Sequence, residues 1–286
     1  MPRQLNRSPA FVYLALVPFI TAALGFGIGG FSNYLNIPLW FAHAILMILL
    51  FKKISAQAPA GTAFEPWASV AFLLFLPWVF FTLFAGFGPP PANMQGWNDS
   101  ALQQQVRYSI LAAGGIISAV GFNRLAQQLS HSEGKRFAKA GRLAVFIAIP
   151  LYVLNMLYWG FFLTASFHYF IGHGITEKPE WYLSVRDLFY WLASIALALL
   201  YLSAALFAVS LKKAGVFKAG ASNVYTAFSV FGFIFSLMPP SAPAPLDVIA
   251  YLVAVPAIFF ILPYLMSINL ATKGSLKEAK QDNDPQ

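Results

Sequence analysis

The stretch LFYWLASIALALLYLSAALFAVSL, residues 188–211, runs for 24 residues without a charge, between Arg186-Asp187 and Lys212-Lys213. As a helix at about 1.5 Å per residue it is roughly 36 Å long, enough to cross a hydrocarbon core of about 30 Å. Seven further apolar stretches flank it: Ala10 to Gly29, Ile37 to Phe51, Trp67 to Phe87, Ile110 to Leu125, Leu143 to Phe170, Asn223 to Met238 and Val248 to Leu270. The second, fourth and seventh stretches of the chain are short and need flanking residues or local thinning of the bilayer to cross. The expected fold is therefore all-α: a polytopic bundle of about eight transmembrane helices.

Composition agrees. The hydrophobic fraction is 59% and the charged fraction 10%, with a mean hydropathy of +0.66. Soluble domains carry about 25% charged residues, so much of this chain does not meet water. Residues 1–272 read as one membrane domain, and the polar 273–286 as a disordered tail.

Eight crossings sort the loops into two sets, and the charges follow them. Of the 18 basic residues, 15 fall in one set: Arg3, Arg7, Lys52, Lys53, Arg124, Lys135, Arg136, Lys139, Arg142, Lys212, Lys213, Lys218, Lys273, Lys277 and Lys280. The other set holds only Arg107, Lys178 and Arg186. The positive-inside rule places both termini in the cytoplasm, in a bacterial-type cytoplasmic (inner) membrane. The net charge of +8 then reports topology and contact with anionic lipid, and no nucleic-acid partner is expected. The first apolar run is long for a signal peptide and lacks a small-residue cleavage site, so a retained helix is expected.

The outer loops are rich in proline, at Pro89 to Pro91 and Pro239 to Pro245. Asn98, Asp99 and Ser100 offer caps for the helix that leads into the fourth span. Tyr34, Trp40, Trp97, Tyr169, Trp181, Tyr182, Tyr190 and Trp191 lie near outer span ends, where the aromatic belt of a membrane protein is expected. Pro18, Pro77, Pro150, Pro256 and Pro263 lie within spans. Each removes a backbone hydrogen bond, and so marks either a static kink or a broken helix lining a cavity. Gly25-x-x-x-Gly29, Gly114-x-x-x-Ser118 and Gly115-x-x-x-Ala119 mark close helix approach. A weak echo relates Tyr13-Leu14-x-x-Val17-Pro18 to Tyr251-Leu252-x-x-Val255-Pro256.

Several chemistries are excluded or unsupported. There is no cysteine, hence no thiolate, disulfide or cysteine metal site. No nucleophile elbow, phosphate loop or Asp-rich inner loop occurs. No Lys, Arg, Asp or Glu lies at the centre of a span, which argues against proton pumping and against a retinal Schiff base. The polar side chains at depth are Thr21, His43, Thr82, Ser118, Asn155, Ser194, Ser203 and Ser229. His43 stands out, because an imidazole in lipid is costly unless paired. His168, His173, Glu177, Glu180, Arg186 and Asp187 form an outer group beside it. Three roles fit: His43 and His168 as axial haem ligands, the histidines with a carboxylate as a metal site, or His43 as an interhelical hydrogen-bond partner.

The sequence thus leads to a permease-like, non-enzymatic membrane protein that binds or passes a small, weakly polar molecule through an outward-opening cavity. His43, His168, His173, Arg186 and Asp187 are the candidate binding residues. The alternative is a haem- or quinone-binding subunit of a redox complex, or a structural subunit partnered by other membrane subunits.

Overall fold

The computed structural model describes residues 9–27, 32–56, 65–239 and 242–272. Every regular element among them is helical. In chain order these are α1 (Pro9–Gly27), α2 (Asn33–Ala56), α3 (Glu65–Phe81), α4 (Phe84–Phe87), α5 (Met94–Asp99), α6 (Ala101–Gln128) and α7 (Lys135–Leu157). A π-helical turn (Tyr158–Phe162) leads into α8 (Leu163–Gly172). Then come α9 (Glu180–Lys213), α10 (Ala219–Ser236), α11 (Leu246–Ala254), a 3-10 turn (Ile258–Phe260) and α12 (Ile261–Ala271).

Six helical segments are long and apolar enough to cross a membrane: Pro9–Gly27, Tyr34–Ala56, Trp67–Phe87, Ala101–Gln128, Lys135–Gly172 and Glu180–Lys213. The pair Leu246–Ala254 and Ile258–Ala271 makes a seventh, bent by 74°. Helix α10, the expected seventh span of the chain, is 18 residues long but diluted by Ser222, Asn223, Thr226 and Ser229, and falls short of the others in apolarity. The chain is an all-α, multi-pass integral membrane protein of about eight spans. Its lipid-facing surface includes Leu35, Leu39, Phe41, Ile45 and Leu49 along α2, all exposed large apolar side chains.

The packing order follows from small residues and hydroxyls. Helix α9 lies between α7 and α10, and α6 lies between α3 and α7, while α12 packs on α3. Two adjacent glycines explain the placing of α6. A Cβ on Gly114 would meet Phe81 of α3, and one on Gly115 would meet the Tyr152 ring of α7 at 2.9 Å. The close approach expected at Gly25 is made to the backbone of α4, where a Cβ on Gly25 would lie 3.6 Å from Phe84 O. Gly29 lies outside the described residues.

Hydroxyls then tie helices together through backbone carbonyls. Tyr264 donates to Leu14 O (2.9 Å), Tyr225 to Leu265 O (3.1 Å), Ser222 to Ala208 O (2.7 Å) and Ser210 to Gly134 O (2.9 Å). Without water inside a bilayer, each such bond uses a group that has few other partners, and is worth about 0.6–2 kcal/mol.

The in-span prolines behave differently from one another. Pro18, Pro77 and Pro150 stay inside continuous helices. Pro263 sits in the first turn of α12, where a backbone donor has no helical acceptor in any case. Pro256 falls at the 74° bend. There Val255 is extended (φ −62°, ψ 121°), the conformation that a following proline ring favours. The continuous span expected over Val248 to Leu270 is thus two helices. The echo between Pro18 and Pro256 does not extend to structure, because α1 is unbroken.

Two other expectations need correction. Asn98 and Asp99 do not cap the helix into the fourth span; they end the separate short helix α5, whose own cap is Asn93, accepting from Gly96 N at 2.8 Å. And the fourth span begins well before Ile110, at Ala101, which places Arg107 inside the helix.

Candidate functional site

The interruptions of regular helix converge on one place. A cavity of about 710 Å³ lies at the end of the bundle opposite the basic loops, bounded by the Gly88–Asn93 loop, α5 and the outer ends of α6, α8 and α9. The broken helix contributes Tyr251, Ala254 and Val255 through Ile258, so the bend itself is part of the wall. The π turn contributes Tyr158 and Trp159. Irregular backbone in a membrane protein is tolerated where it lines a cavity, and π turns are often found at functional sites.

Sequence accounts for both interruptions locally. In the π turn, Gly160 allows contact with α6: a Cβ there would meet the Tyr108 Cβ at 2.9 Å. The Thr164 hydroxyl donates to Gly160 O at 2.8 Å and lies 3.0 Å from Phe161 O, supplying a donor where the widened turn disturbs the ladder. In the broken helix, the 3-10 turn drives Phe259 and Phe260 into the core. Phe260 meets Phe81 (5.1 Å between centroids) and Tyr152 (5.6 Å), and Phe259 meets Tyr201 edge-on (5.2 Å). The Tyr201 hydroxyl reaches Val253 O at 3.4 Å, just before the bend. The segment before the break lines the cavity and the segment after it is anchored.

The break between α3 and α4 is also fully accounted for. Leu83 N bonds Phe80 O, three residues back, which releases Val79 O. That carbonyl accepts instead from Trp40 Nε1 (3.0 Å) and Thr82 Oγ1 (2.7 Å). The freed group is recovered by side chains, as buried backbone polar groups require.

Aromatic rings make most of the wall. Trp97 stacks on Tyr108 (6.1 Å between centroids), and Tyr108 stacks on Trp159 (6.2 Å). Tyr158 stacks on Phe189 at 4.1 Å. Trp97 is buried and donates from Nε1 to Pro91 O (2.7 Å), which fixes the proline loop over the site. Trp97, Tyr182 and Tyr190 line the cavity, so these three outer aromatics belong to the pocket. Tyr34, Tyr169, Trp181 and Trp191 are exposed, as the aromatic belt requires.

Polar groups are few. Thr21, Asn155 and Ser194 come from the set of depth-placed polar residues. The Ser194 hydroxyl is used internally, donating to Tyr190 O at 3.0 Å. Asn155 Oδ1 and Trp78 Nε1 are buried with no hydrogen-bond partner. Arg107 is only 5% exposed; its Nη2 donates to Gly88 O (2.8 Å) and its guanidinium lies 5.6 Å from the Phe87 ring centre, while its Nε–H has no acceptor.

Of the five candidate binding residues, Arg186 lines this cavity and the other four do not. Arg186 is paired with its neighbour Asp187 at 2.8 Å, both side chains being half exposed or more (50% and 64%). His168 is exposed, with Nδ1 3.0 Å from Asn98 Oδ1. His173 is exposed at the end of α8, stacked on Tyr169 at 4.0 Å, with Nδ1 2.9 Å from Tyr169 O. His43 sits on α2, edge-on to Tyr13 of α1 at 6.1 Å, with Nε2 buried and unpartnered. Neither His43 nor His168 lines this cavity. Among the described residues no three His, Asp or Glu side chains converge to hold a metal.

Arg107, Trp97, Tyr108, Asn155 and Trp159 are the residues that sequence reasoning did not assign to a site. One signal pointed to Arg107: it is one of three basic residues outside the inner set. No known family model matches the chain, no curated protein is detectably similar in sequence, and no solved structure is detectably similar in fold.

Proposed function

We propose that this chain is a non-enzymatic, permease-like protein of a bacterial-type inner membrane that binds or passes a small molecule through a cavity open to the non-cytoplasmic side. The observation that supports the reading is the 710 Å³ aromatic-walled cavity flanked by a π turn and a broken helix. Cavities of about 300–1,000 Å³, mostly apolar with a few placed polar groups, are the usual form of a small-molecule site. Discontinuous helices at such a site are common in transporters, where they supply both unpaired backbone groups and a place to bend.

The test uses the tryptophans of the wall. Trp78, Trp97 and Trp159 line the cavity, so a brominated ligand that enters it quenches their fluorescence. The protein, in nanodiscs of zwitterionic lipid, is titrated with 8-bromooctan-1-ol. The expected result is saturable quenching with one site per chain, superimposed on the linear quenching that partition into lipid produces. Linear quenching alone would count against an open ligand site.

A further inference from the structure

All three basic residues that escape the segregation of charge line the same cavity. Arg107, Lys178 and Arg186 are the members of the outer set, against 15 in the inner set, and each contributes to this one wall. Among the described residues no Asp or Glu lines it, although Asp99, Glu177, Glu180, Asp187 and Asp247 all belong to the outer loops and outer span ends. The outer surface as a whole thus has more carboxylates than cations, while among the described residues the charged groups lining the cavity are all cations.

Arg107 is the strongest of the three. It is buried, and among the described residues Arg186–Asp187 is the only ion pair. One N–H goes to a neutral carbonyl and one face is covered by Phe87, so its charge is partly solvated by dipole and ring but has no counter-ion. A buried cation of this kind is costly unless an anion or strong acceptor completes it. The side chain lines the cavity, and its guanidinium is incompletely satisfied, since the buried Nε–H has no acceptor. Lys178 lies over the Phe167 and Tyr182 rings (5.4 and 5.9 Å), which holds an ammonium at the rim. Arg186 is partly neutralised by Asp187 and adds less.

Resting on the cavity reading above, we infer that the ligand is an amphipathic monoanion: an apolar or aromatic body seated among Trp97, Tyr108, Trp159 and Phe189, with a carboxylate or phosphate group at Arg107 and Lys178. Planar oxyanions suit a guanidinium, and charge-assisted bonds are the stronger class of hydrogen bond. Asn155 and Trp78 also line this wall, but their unpartnered Oδ1 and Nε1 atoms are buried away from its surface. The anionic group is supplied either by a free solute or by the headgroup of an acidic lipid, and the experiment separates these.

A matched series of 8-bromooctanoate, 8-bromooctan-1-ol and 8-bromooctylammonium is titrated by tryptophan quenching into the protein in phosphatidylcholine nanodiscs. The octanoate is expected to bind about ten- to hundredfold more tightly than the alcohol, as a charged hydrogen bond contributes, and the ammonium not at all. Arg107→Gln should erase the preference for octanoate while leaving the alcohol bound. Because Arg107→Gln also loses contact with the proline loop and can unfold, the exposed pair is tested too: Lys178→Gln with Arg186→Gln should reduce the preference severalfold. Repeating the titration in nanodiscs containing phosphatidylglycerol identifies the source. Weakened octanoate binding there means that the lipid headgroup competes for the same cations; unchanged binding assigns the site to a free solute. Both support an anion site. Equal affinity for octanoate and alcohol in wild type, or an unchanged preference in both sets of variants, overturns the anion assignment but leaves the cavity standing. Failure of all three probes to saturate overturns the cavity reading as well.

Discussion

Phe260→Ala is expected to lower stability by about 2 kcal/mol or more and to release the bend in the last span. Phe260 is buried between Phe81 and Tyr152, at the start of the segment that follows the break. In a bilayer the transfer part of the usual core penalty largely cancels, because lipid is as apolar as the core. The cavity part remains: about 100 Å³ emptied at roughly 24 cal/mol per Å³ comes to about 2.4 kcal/mol. The change also removes three edge-to-face ring contacts, with Phe81, Tyr152 and Phe259, each worth about 0.5–1.5 kcal/mol. The measurement is a thermal melt in nanodiscs beside that of Phe231→Ala, an exposed phenylalanine on α10. A large loss is expected for Phe260→Ala and a small one for Phe231→Ala. Similar small losses would show that the turn after the break is not an anchor.

Ala193→Trp is expected to abolish saturable binding with little change in folding. Ala193 lies on α9 beside Ser194 in the chain, half-buried and lining the cavity. An indole there occupies the space where a ligand body would stack, and it grows into open volume, so the overpacking cost of a filled core does not apply. Binding of 8-bromooctan-1-ol should fall by at least about tenfold, the equivalent of roughly 1.4 kcal/mol, at an unchanged melting temperature. Wild-type affinity in Ala193→Trp would show that the quenching arises elsewhere on the protein. A parallel loss of melting temperature would instead show that α9 is tightly packed at this position.

The parts of this architecture that were legible in the sequence are those encoded locally. A 24-residue uncharged run between Asp187 and Lys212 has one physical outcome in a membrane, and the alternation of basic loops counts the crossings independently. Pro256 was legible as a candidate break, but not distinguishable from Pro18 or Pro150, since the outcome depends on packing by residues remote in sequence. Phe259 and Phe260 find Tyr201, Phe81 and Tyr152, and this anchoring accompanies the bend. Trp97 and Tyr182 have the composition of an aromatic belt, and pocket walls use the same residue types. The apolar run starts at Ile110, so by sequence Arg107 lies ahead of the fourth span, on the helix that leads into it. The polar turn Gln103–Gln105 is helical as expected, but it is continuous with the span from Ala101, which carries Arg107 into the bundle. The π turn left only Gly160 and Thr164 as traces. Histidine has the chemistry of a binding residue, but His43, His168 and His173 do not line the cavity.

The most direct measurement is thiol labelling of intact cells with an impermeant reagent, made possible by the absence of native cysteine. Single cysteines are placed at Ala193 in the cavity, at Glu177 in the loop beside it, and at Glu133 and Lys218 in the basic loops. Ala193→Cys and Glu177→Cys are expected to react from outside, and an excess of octanoate should protect Ala193→Cys but not Glu177→Cys. Glu133→Cys and Lys218→Cys should react only after permeabilisation. Labelling of Glu133→Cys or Lys218→Cys in intact cells, or an Ala193→Cys that reacts only once the membrane is opened, would contradict a cavity that faces the non-cytoplasmic side.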